Sequence, residues 1–186
     1  AALDAHAGVR HDTAGWTERQ IMEKLGAEGP AEGRFFPDTY LFAKGSGDLD
    51  ILKRAYRHMN NILLAEWEGR EPSLPYKSPY EALIMASIVE KETGRSQDRT
   101  QVASVFLNRL KKGMLLQTDP TVIYGLGEKF DGNLRKRDLL ADGPYNTYTR
   151  PGLPPTPIAM PGLASVQAVM RPAATEMLYF VARGDG

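Results

Sequence analysis

From Ala82 to Val89 the chain runs through eight consecutive apolar or small residues, ALIMASIV, and closes on Glu90. Turned at 100° per residue, Leu83, Ile84, Met85, Ala86, Ile88 and Val89 point in every direction, the pattern of a buried helix. Its start is marked by Ser78 as N-cap, Pro79 at the first helical position and Glu81 completing Ser-x-x-Glu; Gly94 is the expected stop. Three other stretches carry a helical period. TERQIMEKLG reads as a short helix with a Thr17–Gln20 capping box and Gly26 at its end. DLDILKRAYRHMNNILLAEWEG repeats Leu52, Tyr56, Met59, Leu63 and Trp67 at spacings of three or four. The helix expected over 98–112 carries Val102, Val105, Phe106 and Leu110 on one face, with Lys111 and Lys112 at its negative end and Gly113 to stop it.

Between the helices the pattern changes. EGRFFPDTYLF is expected to be extended, because Pro37 disfavours helix and aromatic residues favour strands. QTDPTVIYG reads as a loop entering a short helix capped by Asp119, with Pro120 first. Residues 144–161 hold six of the 13 prolines, which fix the backbone without secondary structure. A short helix over 165–170 and the strand-like EMLYFVA follow. Helices dominate and the few strands do not alternate with them, so the expected fold class is α+β: a mainly helical domain with a small sheet and long proline-rich loops.

Composition narrows the function. The 186 residues suffice for one well-cored domain, and 23 acidic residues balance 23 basic ones, which argues against nucleic acid as a partner. The run Arg135-Lys136-Arg137 is bracketed by Asp131 and Asp138 and reads as a solvated turn or helix face. There is no cysteine, so thiol catalysis and disulfides are excluded. The longest apolar run is too short to cross a bilayer. His6, His11 and His58 lack metal-ligand spacing, and no P-loop, Gly-x-Ser-x-Gly or Gly-x-Gly-x-x-Gly occurs, so neither metal nor cofactor is expected.

Candidate chemistry gathers at the end of the apolar helix. Glu90 falls on the line of Leu83, Ala86 and Ser87, whereas Glu92 points nearly the opposite way, so one small site cannot take both carboxylates. A carboxyl lodged in the interior beside the negative helix end is in the setting that lets a general acid keep its proton. The competing reading is an ion pair of Glu90 with Lys91 or a distant arginine. Gln117, Thr118 and Asp119, and Tyr145, Asn146, Thr147 and Tyr148, supply the flat apolar faces and hydrogen-bonding groups of a sugar site. Helix capping and cover for a proline loop are their structural alternatives.

EGRFFPDTY, MASIVEKETG, VASVFLNRL, LQTDPTVIYGLG, YNTYTRPGLPPTPI and YFVARGDG, in that order, resemble the YceG-like endolytic murein transglycosylases from about Glu32 onward. The resemblance implies a catalytic domain over 31–186, after a remnant (1–30) of a LysM-like region or linker, and a C-terminal end cut short of a further His- and Phe-containing segment. It implies a single-pass protein of the bacterial inner membrane, anchored by a helix this chain lacks, with its catalytic domain on the periplasmic or outer side. The substrate implied is the peptidoglycan glycan strand, cut internally between N-acetylmuramic acid and N-acetylglucosamine to leave 1,6-anhydro ends; peptidoglycan synthases are candidate partners. The acid implied is the first glutamate of Glu-Lys-Glu-Thr, Glu90, the residue the helical wheel favours. Ser87 and the two loops are the expected substrate contacts. Glu32 and Asp38 join them, and with Asp119 are candidates for the second carboxylate of a hydrolytic muramidase. A non-catalytic peptidoglycan-binding module is the third reading.

Overall fold

A computed structural model of the chain describes residue 3 and residues 5–180. In chain order the elements are β1 (Val9–Arg10), α1 (Glu18–Lys24), β2 (Ser46–Gly47), α2 (Asp48–Glu68), α3 (Pro79–Glu92), α4 (Arg99–Lys111), α5 (Asp119–Leu126), α6 (Lys136–Leu140) and α7 (Leu163–Met170). The fold is α+β and mainly helical. Its sheet is one parallel ladder, Val9 opposite Ser46 and Arg10 opposite Gly47.

Helix α3 lies at the centre, and Ala82 to Val89 are all buried as their pattern required. It packs against α7, α4 and α2, and α7 in turn packs against α4 and α2. Ser78 caps α3 by accepting the Glu81 backbone N–H. The Glu81 carboxylate receives the Lys77 N–H, one residue before the position a capping box uses. The helix ends at Thr93, whose N–H still bonds Val89 O while its backbone turns extended, so Gly94 is not the stop. In α1 the Thr17–Gln20 capping box is present as the sequence predicts. Helix α4 ends ahead of Gly113, which takes the left-handed φ of +67°.

Four further expectations are corrected. The buried line of α2 is Ile51, Ala55, Met59 and Leu63, one residue round from the Leu52–Tyr56 line; the aromatics stay at its margin. There Phe35 meets Tyr56 and Phe36 meets His58, ring to ring. Residues 32–42 form no strand, because these rings dock onto α2 and the Phe36 N–H is taken by Ala55 O. Helix α5 begins one residue earlier than expected, with Thr118 as N-cap and Asp119 inside the first turn. Residues 176–180 of the strand-like EMLYFVA pair with no strand: α4 side chains take the carbonyls instead, Asn108 Nδ2 donating to Thr175 O and Met177 O and Arg109 Nε to Leu178 O. The rest of that run, like most of YFVARGDG, lies outside the described residues. The basic run is exposed as expected, with Arg135 paired to Asp131.

Candidate active site at the end of the buried helix

The last turn of α3 delivers Glu90 and Glu92 to opposite sides, and their surroundings differ. Glu90 Oε2 accepts from Ser165 Oγ at 2.6 Å and from the Gly162 N–H at 3.1 Å, both at the start of α7. Its Oε1 lies 3.5 Å from Arg99 Nη2, and the side chain keeps 28% exposure. The carboxyl is therefore not dry: an arginine pairs with it, and it ties α3 to α7 and α4. Ser87, one turn earlier, is fully buried and faces no groove. Its hydroxyl donates to Ile84 O at 2.7 Å and accepts the Ile158 N–H at 2.9 Å, which makes it a strut under the proline-rich loop rather than a substrate contact.

Glu92 meets the two loops that the sequence assigned to Glu90. Thr118 Oγ1 donates to Glu92 Oε2 at 2.8 Å. Tyr148 donates its phenol proton to Asp119 Oδ1. Burial raises the proton affinity of Glu92, the Asp119 charge raises it further, and the Thr118 hydrogen bond partly opposes both. The Tyr148 phenol is pushed up as well, by burial first and then by its bond to Asp119 and that residue's charge, with Glu92 adding to them. A helix N-cap threonine usually bonds its own helix; Thr118 makes no such bond and gives its hydroxyl to Glu92 instead.

The loops reach Glu92 because they are joined to each other. Gln117 N–H donates to Thr147 O, Thr118 N–H to Thr147 Oγ1, and the Thr121 and Thr147 hydroxyls lie 2.8 Å apart. Gln117 is exposed and left-handed at φ +52°, unusual for a residue with a Cβ, and so turns the chain into α5. Thr147 is buried, and so is Asn146, whose amide Nδ2 donates to Ala141 O at 2.7 Å and Leu139 O at 3.0 Å. Asn146 Oδ1 accepts the Tyr148 N–H at 2.8 Å, so these two residues aim Tyr148 and do not themselves face solvent.

The remaining candidates fall elsewhere. Glu32 accepts from Tyr124 OH at 3.1 Å; burial and that carboxylate push the Tyr124 phenol up to about 12. Tyr145 packs against Tyr124 with the rings tilted by 58° and their centroids 4.9 Å apart, and its hydroxyl lies 2.8 Å from Thr156 Oγ1. Asp38 is exposed, 3.9 Å from His58 Nδ1. A groove of about 620 Å³, lined by Tyr80, Ile84, Leu110 and the proline-rich 151–155, opens beside the first turns of α3. Neither Glu90 nor Glu92 lines this groove. Among the described residues no group of three or more His, Asp or Glu side chains could hold a metal ion.

The wheel carried a signal for Glu92. Met85, Ile88 and Val89, seven, four and three residues before it, are as buried as the line that leads to Glu90. What the sequence did not contain was the position of Thr118 and Asp119.

These features define an α+β, mainly helical domain with an acidic site at the end of one central buried helix. The chain belongs to the YceG-like family, whose sequence model matches residues 3–186. It is 44% identical over 158 residues to the "Endolytic murein transglycosylase" of Bacillus subtilis (strain 168), covering 84% of this chain and 43% of that protein. A protein of the same name from Streptococcus pneumoniae (strain ATCC BAA-255 / R6) is 32% identical over 167 residues, covering 87% of this chain and 30% of the relative. The chain thus spans less than half the length of these curated relatives. A crystal structure of a yceG-like protein from Listeria monocytogenes superposes with a TM-score of 0.72 at 36% identity, covering 88% of this chain and 57% of that one.

Proposed function

We propose that this chain is the catalytic part of a lytic transglycosylase that cuts peptidoglycan glycan strands internally, with Glu92 as its general acid. The observation that carries the proposal is a half-buried carboxyl of raised proton affinity, held by Thr118 and flanked by Asp119 and Tyr148. The activity named for the relatives supplies the substrate class. Glu92 donates its proton to the glycosidic oxygen as the bond from N-acetylmuramic acid to N-acetylglucosamine breaks through an oxocarbenium-like state. The resulting carboxylate then takes the proton of the muramic acid 6-hydroxyl, whose oxygen closes on the anomeric carbon. The product is a 1,6-anhydro end, no water is consumed, and Glu92 regains its proton. Intramolecular attack benefits from the proximity of the reacting groups.

Glu90, favoured by the sequence pattern, is the rival acid. Digestion of purified uncrosslinked glycan strands separates the two. Glu92→Gln should lower cleavage by at least about a hundredfold, with a melting temperature no lower than that of the wild type. Glu90→Gln should retain measurable activity with a lowered melting temperature, because it breaks the tie to Arg99. The reverse pattern would transfer the acid role to Glu90. Asp119 beside Glu92 gives a specific footing to one alternative, a muramidase that activates water with a second carboxylate. Its products would be heavier by one water than anhydro ends. The same proposal places the domain outside the cytoplasmic membrane, behind a single-pass anchor, where peptidoglycan synthases would supply fresh strands.

A further inference from the structure

Residues 175–180 are clamped onto α4, and the clamp ends in an aromatic ring that faces water. Arg109 is only 8% exposed, yet its guanidinium donates from Nε to Leu178 O at 2.7 Å and from Nη1 to Leu116 O at 2.8 Å. The same group lies 4.9 Å from the centroid of Tyr179, flat support for one face of the ring. On either side of Tyr179, Leu178 is fixed by that bond and Phe180 sits edge-on against Phe106. Tyr179 itself is 67% exposed. A rigid, presented aromatic loses little freedom when something stacks on it.

Its position ties it to the acidic site. Leu116, whose carbonyl Arg109 holds, is two residues from Thr118, a span of at most about 7 Å. Thr118 holds Glu92, and the charge of Arg109 also acts on the Tyr148 phenol. One buried cation therefore fixes both the loop at Glu92 and the ring of Tyr179. The C–H faces of pyranose rings stack on flat aromatic surfaces, and a phenol hydroxyl can exchange hydrogen bonds with sugar hydroxyls.

We propose that the exposed face of Tyr179 is a stacking subsite for one sugar ring of a glycan strand whose scissile bond lies at Glu92, with Arg109 as the residue that positions both. This rests on the reading of the Glu92 site as a glycan-cleaving one. The test uses the cleavage-deficient Glu92→Gln protein and a murein octasaccharide, measuring affinity by calorimetry. Adding Tyr179→Ala should weaken binding roughly three- to ten-fold, the range of one aromatic stacking contact. Placing Tyr179→Trp in the same background should give a blue shift of tryptophan emission on saturation beyond that of Glu92→Gln alone. If Glu92→Gln binds the octasaccharide, both double variants match it and no extra shift appears, the subsite is overturned while the site reading stands. If Glu92→Gln binds no octasaccharide, the reading of the site falls and the subsite falls with it.

Discussion

Glu90 and Glu92 are two residues apart in sequence and differ in what meets them. Two donors and an arginine meet the first, and a single hydroxyl and a neighbouring carboxylate meet the second. For Glu92 the consequence for stability has a definite sign. Its folded proton affinity exceeds the unfolded one, so the fold prefers the protonated form. Below the unfolded pKa, about 4.3, it carries no penalty. The cost grows as pH rises through that value and levels off above the folded one. Thermal melts of wild type and Glu92→Gln at pH 4 and pH 8 should therefore diverge, with the glutamine protein gaining relative stability toward pH 8. A constant gap would show that Glu92 is as well solvated folded as unfolded.

Helix α3 shows how one element serves both packing and chemistry. Its eight-residue apolar run is enclosed by α2, α4 and α7, so its only polar interior group, Ser87, needs partners inside the protein and finds Ile84 O and the Ile158 N–H. Ser87→Ala leaves that N–H buried without an acceptor and should cost about 1–3 kcal/mol by urea unfolding. An unchanged midpoint would mean that the loop at Ile158 finds another acceptor. The beginning of α3 was legible because capping signals are local: Ser78, Pro79 and Glu81 act on backbone within one turn. The end of the helix was less so. Gly94 is only a possible stop, and Thr93 ends the helix first by turning extended.

Across the whole molecule, the proline-rich loop is a wall pressed onto the remainder. Gly33, at φ +76°, sits so close beneath it that an added Cβ would lie 2.5 Å from the Pro157 side chain and 3.2 Å from Ala159 O. Gly33→Ala combines backbone strain with this clash, and should destabilise by more than about 1 kcal/mol. Circular dichroism melts of the variant would check it, and an unaltered melting temperature would mean that the loop gives way freely.

Apolar periodicity and capping residues act over one or two turns, so every helix except the five-residue α6 was legible in the sequence. It determined the α+β class, the absence of thiol chemistry, and six ordered motifs that pointed to the family. It also put its candidate acid at the end of α3. Pattern and resemblance both favoured Glu90, whereas the acid proposed above is Glu92; both close a buried stripe and differ only in what approaches from elsewhere in the chain. Thr118 lies 26 residues beyond Glu92 and Ser165 75 beyond Glu90. The sequence could not separate a strand from a clamped segment at residues 176–180, since strand propensity reflects burial and neighbours that only packing supplies. What meets each carboxyl and what holds residues 176–180 appear only in the folded chain, because solvation and charge at a carboxyl are set by contacts between distant segments, which a local pattern does not encode.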